Sequence, residues 1–342
     1  MNSSRRIAAC TIGVAMFGAA TFWAPGAEAA TQSLGAVALA SDEVTPTAAG
    51  DSGATGTVDL RIDGSTGDVC VRAVFTGLSG PLTMAHIHSG AVGANGPVFI
   101  TLPSTDTAVN GCVKATPAEA QAVLAAPGSF YFNAHTAASP GGAVRGQLTA
   151  SVFNAVLTGA AEVPGPGAPN GTGSAVVAVD TSSNRACVLI TVAGVELPAA
   201  MAHIHSGAAT VAGPVVVPLT APAAATSASC GLAAPAVLTA IVASPTAHYA
   251  NVHTTAFAAG AVRGQLAVRA VSDVPVPSGG ASTTTVVSAN TSTTVAGAST
   301  TTTAPATAST TILSAGTTTT VAPLPTEPPV AVPTVAEPTF TG

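Results

Sequence analysis

The chain has 342 residues, of which only 7% are charged and 4% are aromatic, and its formal net charge is −6. The single lysine, Lys114, and the few arginines provide no basic surface for a phosphate backbone, which excludes nucleic acid as a partner. Abundant glycine and proline between short β-branched runs favour an all-β fold with many turns.

The first 29 residues have the features of a secretory signal peptide. Two arginines precede an apolar stretch at residues 7–23, and Ala27-Glu28-Ala29 forms a small-x-small cleavage site. We therefore predict that residues 1–29 are removed. The mature chain would then be secreted or held at the cell surface, without a transmembrane anchor.

A seven-residue motif, Met-Ala-His-Ile-His-Ser-Gly, occurs at residues 84–90 and again at residues 201–207, which is a spacing of 117 (203 − 86). Other landmarks repeat at 117 or 118, namely Cys70/Cys187, Cys112/Cys230, Asn133/Asn251, His135/His253 and Arg145/Arg263. A period of this size indicates duplication of a whole domain rather than a short-repeat solenoid. The predicted domains are residues 34–150 and 151–271.

Each repeat contains several short segments that alternate apolar and polar residues or are rich in β-branched residues. In the first repeat they are residues 56–62, 68–75, 83–88, 97–102, 130–135 and 143–150, and residues 174–179 and 186–192 begin the equivalent series. Residues 118–124 and 233–241 each predict a short helix. Short strands at roughly ten-residue spacing predict an antiparallel β-sandwich or barrel in each domain.

Four cysteines follow the signal peptide, two at equivalent places in each repeat. In an exported protein this symmetry predicts one disulfide per domain, Cys70–Cys112 and Cys187–Cys230. A metal–thiolate site is less favoured because the chain has no Cys-x-x-Cys pair.

The composition changes after residue 271. Residues 272–342 consist almost entirely of threonine, serine, alanine, valine and proline. Such a segment buries too little apolar surface to offset its ordering entropy, so we predict a disordered Thr/Ser/Pro/Ala-rich tail.

Three predicted strands in each repeat carry polar residues at i and i+2, which share one face of a strand. If the strands are neighbours, each domain gathers three histidines, an asparagine, an arginine and a glutamine. The first set is His86, His88, Asn133, His135, Arg145 and Gln147, and the second is His203, His205, Asn251, His253, Arg263 and Gln265.

Three interpretations of these clusters compete. The side chains could form a closed hydrogen-bond network, since each of these residue types donates or accepts. The histidines could instead bind copper or zinc, for which imidazole is a suitable ligand. Alternatively, the arginine and amides could recognise an anionic or sugar ligand. No catalytic motif is present, so we predict no catalytic residue, and the acidic residues are expected in turns.

The sequence resembles the CHRD domain, a module named from chordin. The resemblance rests on Leu-Thr-Gly-Ala-Ala-Glu-Val-Pro at residues 157–164, on the Ala-His-Ile-His-Ser-Gly motifs, and on Asn-Val-His-Thr with Gly-Ala-Val-Arg-Gly-Gln-Leu at residues 251–254 and 260–266. In the first copy, Thr45 moves the corresponding proline by one position.

This resemblance implies two immunoglobulin-like β-sandwich domains in an extracellular, non-enzymatic binding or structural module. Its partner would be an unidentified extracellular protein or glycan, and we expect a monomer. The His-x-His strand also resembles that of the copper–zinc superoxide dismutase sandwich. The alternative is therefore a copper- or zinc-binding redox protein that is similar to the dismutases.

Overall fold

The structure, a computed structural model, describes residues 31–44, 50–272 and 274–275. The predicted signal peptide, Thr45 and nearly all of the predicted tail lie outside these residues. The described part is almost entirely β-structure, arranged as two similar antiparallel sheets. This confirms the all-β, tandem-domain prediction.

The first sheet has eight strands in the order β5-β4-β7-β8-β1-β2-β3-β6. Its strands are β1 (Gln32–Leu39), β2 (Thr55–Asp63), β3 (Asp68–Thr76), β4 (Leu82–Ser89), β5 (Val98–Thr101), β6 (Val109–Lys114), β7 (Phe130–Thr136) and β8 (Val144–Gln147). Helix α1 (Pro117–Ala125) follows β6. It starts with a capping box in which Thr116 and Glu119 bond each other's backbone, and it buries Ala120 and Val123.

The second sheet repeats this order as β13-β12-β15-β16-β9-β10-β11-β14, and β17 pairs with β9. Its strands are β9 (Val152–Thr158), β10 (Thr172–Asp180), β11 (Arg185–Ala193), β12 (Met201–Ser206), β13 (Val215–Leu219), β14 (Thr226–Leu232), β15 (His248–His253), β16 (Val262–Gln265) and β17 (Ala267–Val268). Helix α2 (Pro235–Ala243) matches α1, so both predicted helices are confirmed.

Each domain is one continuous sheet that curls until its two outermost strands approach each other. In the second domain, Gly231 of β14 packs so tightly against Pro218 of β13 that a Cβ atom would lie 2.2 Å from the Pro218 carbonyl oxygen. The inner face of the curl holds the apolar core, which includes Ile87 and Ile204 at 0% exposure. Because neighbouring residues on a strand face opposite sides, the histidines beside these isoleucines lie on the outer face.

Both predicted disulfides are present. Cys70–Cys112 joins directly opposed residues of β3 and β6, and Cys187–Cys230 does the same for β11 and β14. Strand β6 was not among the predicted strands. Its sequence, Val-Asn-Gly-Cys-Val-Lys, has weak alternation because it forms the outermost strand, where several side chains are exposed.

The two domains pack against each other. Val37 and Leu39 of β1 form a small apolar cluster with Ala178 of β10. Charged contacts surround it, since Asp42 pairs with Arg185 at 2.8 Å and the Asp59 carboxylate with Arg269 at 2.7 Å. None of the described helices is sufficiently long and apolar to cross a lipid bilayer.

Candidate functional site

The three predicted histidines of the first domain meet on the outer face of the sheet. Neighbouring strands β4 and β7 supply them, with His86 and His88 on β4 and His135 on β7. His86 Nδ1 lies 3.2 Å from His135 Nε2. One ring nitrogen from each of the three residues lies within 4.8 Å of the other two, close enough to share one ion.

Backbone carbonyls fix the orientation of two of these rings. His88 Nδ1 lies 3.0 Å from the Gly96 carbonyl oxygen, and His135 Nδ1 lies 3.0 Å from that of Pro140. A carbonyl only accepts, so each Nδ1 carries the proton and each Nε2 presents a lone pair. His88 Nε2 is buried without a hydrogen-bond partner in the described part of the chain. A metal-binding histidine is commonly oriented by this kind of backbone contact.

The second domain repeats this arrangement. His203 Nδ1 lies 3.3 Å from His253 Nε2, and His205 Nδ1 lies 2.9 Å from the carbonyl oxygen of Gly213. His253 Nδ1 is held by the Ala258 carbonyl at 3.0 Å, and His205 Nε2 is again buried without a partner among the described residues. The two copies of the domain thus present the same set of unprotonated nitrogens.

Burial keeps the histidines neutral. Burial is the main cause that lowers the pKa of His86 to about 4, and the nearby His135 and His88 contribute to the same shift. Burial is also the main cause that lowers the pKa of His88, His135, His203 and His205. Neutral imidazole is the form that binds metals, so these five histidines are in the binding-competent form at neutral pH.

Arg145 and Tyr131 pack next to the histidine cluster of the first domain. The guanidinium carbon of Arg145 lies 3.4 Å from the centre of the Tyr131 ring, and His88 stacks on the same ring with centroids 4.9 Å apart. Arg145 Nη2 donates to the carbonyls of Ala91 and Ala94, at 2.8 and 3.0 Å. These contacts hold the loop that carries the Gly96 carbonyl, so Arg145 positions His88 through this loop.

The matching arginine, Arg263, stacks 3.4 Å from the centre of the Tyr249 ring and donates to the Ala208 carbonyl. Both arginines are almost fully buried, at 2% and 1% exposure, and the hydrogen bonds they make are to protein carbonyls, while Arg263 Nη1 is buried without a partner among the described residues. This gives little support to recognition of an external anion by these arginines.

Gly96 and Gly213 allow the loop to pass close to the strand. A Cβ atom on either glycine would lie 1.5 Å from the carbonyl oxygen of Ser89 or Ser206, respectively. Only glycine fits at this distance. The Gly-Pro-Val segment after each His-x-His motif is therefore part of the site.

The predicted glutamines lie at the edge of this arrangement. Gln147 Nε2 donates to the carbonyls of Gly90, Gly128 and Phe130. Gln265 Nε2 likewise donates to those of Gly207 and Thr246. Both side chains hydrogen-bond the loop backbone, and among the described residues neither makes a hydrogen bond to an imidazole.

Two glutamates that were not predicted from the sequence, Glu43 and Glu162, also belong to the site. Glu162 Oε2 accepts from Asn251 Nδ2 at 3.0 Å, and Glu43 Oε2 accepts from Asn133 Nδ2 at 3.4 Å. Burial raises the pKa of each carboxyl to about 7, although the nearby arginine and asparagine oppose this shift. The signal that could have found them is an acidic residue in the same segment at the start of both repeats.

These carboxyl groups adjoin the histidine clusters through the asparagines. Asn133 is the cross-strand partner of His86, and Asn251 is that of His203. Each asparagine Oδ1 and each glutamate Oε1 is buried without a partner in the described residues. By contrast, the predicted role for the acidic residues of turns is confirmed at Asp63, which accepts from the backbone of Ser65.

A third group, Asp42 with Cys187 and Cys230, also brings potential ligands together. It is not a metal site, because both sulfurs are committed to the disulfide and no thiolate is available.

Comparison with known proteins places this site in a family. The model of the CHRD domain matches residues 36–148 and 153–266, one match for each sheet. No curated protein sequence matches the chain. The matched ranges include both histidine clusters and the arginines and tyrosines behind them. The chain therefore belongs to the CHRD domain family and carries two tandem copies of the domain.

Proposed function

We propose that the protein is a secreted, non-enzymatic binding module in which each CHRD domain holds one copper or zinc ion. One observation carries this proposal: in both domains one ring nitrogen from each of three histidines lies within 4.8 Å of the other two, and backbone carbonyls fix the tautomer of two of the rings. In the first domain the ligands would be His86 Nδ1, His88 Nε2 and His135 Nε2. The bound ion would supply a Lewis-acidic centre that could also bind a group from a partner molecule.

Secretion is supported by the two disulfides, which are typical of oxidising compartments, and by the extracellular type of the domain. The size of the clusters argues against a dismutase-like site with two metal ions. Three histidines suffice for one ion, and none of the other described histidines joins either cluster. A dismutase-like site with two bridged metals would need more ligands, so copper-loaded protein should not accelerate superoxide decay beyond free copper.

The test is metal stoichiometry on the purified full chain, by elemental analysis after dialysis against buffered Zn²⁺ or Cu²⁺. We expect two ions per chain. Replacing both His86 and His88 by alanine should reduce this to one, and replacing His203 and His205 as well should reduce it to none. His248→Gln is the control because His248 is buried outside both clusters, where it bonds the Ser244 carbonyl.

Two ions must remain in the His248→Gln variant. A wild-type chain that binds no metal at micromolar concentration would overturn the proposal and leave the histidines as a structural network. Circular dichroism of each variant checks that the loss of metal is not a loss of fold.

A further inference from the structure

Two methionines occupy matched positions beside the histidine clusters. The chain has four methionines, and two of them, Met1 and Met16, belong to the predicted signal peptide. The other two, Met84 and Met201, each lie two residues before the first histidine of a His-x-His motif. Beyond the signal peptide, every methionine of the chain therefore adjoins a cluster.

Strand geometry places each methionine on the histidine side of the sheet. Residues at i and i+2 share a face, so Met84 lies on the same face as His86. Met84 is also the cross-strand partner of His135, and Met201 is that of His253. Side chains directly opposite each other have Cβ atoms only about 4.5–5.5 Å apart. A flexible methionine side chain can therefore bring its sulfur to the cluster.

The methionines lie where the clusters open to solvent. Met84 and Met201 are 46% and 44% exposed, whereas His86 and His135 are 7% and 5% exposed. A single exposed apolar side chain is ordinary in a soluble protein. Here the same exposed residue recurs at the rim of both clusters, although the residues before it differ: Leu82-Thr83 in one copy and Ala199-Ala200 in the other.

Ligand chemistry indicates which metal such a site prefers. A thioether is a soft ligand that selects Cu(I), whereas Zn²⁺ is well served by imidazole alone. We infer that Met84 and Met201 act as the fourth ligands of the two sites, so that each CHRD domain takes up Cu(I) through three histidines and one methionine. This inference rests on the proposed metal-binding function and adds the identity and oxidation state of the ion.

The experiment compares the soft ion Cu(I) with the borderline ion Zn²⁺ on the full chain and on its Met84→Leu, Met201→Leu and double variants. Leucine keeps the size and apolar character of methionine but removes the sulfur. Cu(I) affinity is measured anaerobically by competition with bicinchoninate, and Zn²⁺ affinity by competition with a chromophoric chelator. Val156→Leu, at an exposed position of β9, is the matched control.

We expect each single variant to weaken Cu(I) binding at one of the two sites by about tenfold or more, and the double variant to weaken both. Zn²⁺ affinity should change less than about twofold. A second readout follows the ¹³C-labelled methionine methyl groups by NMR, assigned through the leucine variants. Ag⁺, a redox-inert substitute for Cu(I), should shift the Met84 and Met201 signals much more than Zn²⁺ does, because only Ag⁺ binds the sulfur directly.

The outcomes separate the two proposals. If copper and zinc bind to wild type but the methyl signals stay unmoved and the leucine variants keep full Cu(I) affinity, the methionines are not ligands and only this inference fails. Equal shifts with Ag⁺ and Zn²⁺ would contradict it as well, because a thioether ligand discriminates between these ions. If no metal binds to wild type, the proposed function fails and this inference fails with it.

Discussion

His86 Nδ1 and His135 Nε2 lie 3.2 Å apart, a separation that suits either a shared proton or a shared metal ion. Ligands at about 2.0–2.1 Å from a tetrahedral metal are themselves about 3.3–3.4 Å apart. His135 presents a lone pair, because its other nitrogen bonds the Pro140 carbonyl. Metal binding therefore requires only that His86 move its proton from Nδ1 to Nε2.

Metal binding should persist well into the acid range. Burial lowers the pKa of His86 to about 4 and also lowers the pKa of His88 and of His135, so protons compete with the metal of the first domain at a lower pH than they would at solvated imidazoles. We predict that Zn²⁺ occupancy is nearly complete at pH 5.5, as measured by equilibrium dialysis. A synthetic peptide with residues 84–90, whose histidines are solvated, should release the metal as the pH falls below about 6.5. If protein and peptide lost Zn²⁺ over the same pH range, burial would not be what keeps the histidines of the protein unprotonated.

Glu162→Gln should stabilise the protein at alkaline pH. Burial raises the pKa of Glu162 to about 7, so its contribution to stability is full below about 4.5, the pKa of the unfolded chain, and is lost as the pH rises through 7. Glutamine retains an oxygen for Asn251 but cannot ionise. We expect the free energy of unfolding at pH 8 to rise by about 2–3 kcal/mol, as measured by urea titration.

Below pH 4.5 the advantage of Glu162→Gln should vanish, because the wild-type carboxyl is then protonated in both states. Glu196→Gln is the control, since Glu196 is exposed and its replacement should leave the pH profile unchanged. Equal stability of Glu162→Gln and wild type at pH 8 would show that Glu162 ionises freely in the folded protein.

Arg269→Ala should weaken the contact between the domains. Arg269 donates two hydrogen bonds to Asp59, whose side chain is only 7% exposed. Its loss leaves a buried carboxylate unpaired, and we expect about 2 kcal/mol of destabilisation in urea. Lys114→Ala breaks the Lys114–Asp68 pair, where the lysine side chain is 62% exposed, and should cost less than about 0.5 kcal/mol. If Arg269→Ala and Lys114→Ala lowered the free energy of unfolding by similar amounts, burial of the carboxylate would not make the Arg269–Asp59 pair more important than the exposed one.

The position of a C-terminal truncation should decide its effect on stability. Removing residues 276–342 takes away only the Thr/Pro-rich segment, and the melting temperature should change by less than about 2 °C. Removing residues 272–342 also takes Val274, which is 2% exposed, and should cost about 1–2 kcal/mol of burial. A drop of more than about 5 °C for the shorter deletion would show that the tail packs.

Local sequence features were sufficient to predict the tandem β-domains, both short helices and both disulfides. The reason is physical: alternation of polar and apolar residues reports directly on the two faces of a strand. The duplication places two cysteines at equivalent positions in each repeat, so that Cys70–Cys112 and Cys187–Cys230 could be paired by symmetry alone. Parity likewise placed His86 beside His88 on one face before any neighbouring strand was known.

Which side chains meet across strands was decided only by the tertiary structure. The sheet order sets β7 between β4 and β8, and this order brings His135 to His86 and stacks Arg145 on Tyr131. Burial then decides the protonation state of Glu43 and Glu162, which resemble ordinary surface acids in the sequence. Glu43 is partly buried and Glu162 is buried, and desolvation raises the pKa of each to about 7. Neither strand order nor desolvation is encoded in a local pattern, since both arise from contacts between residues far apart in the chain.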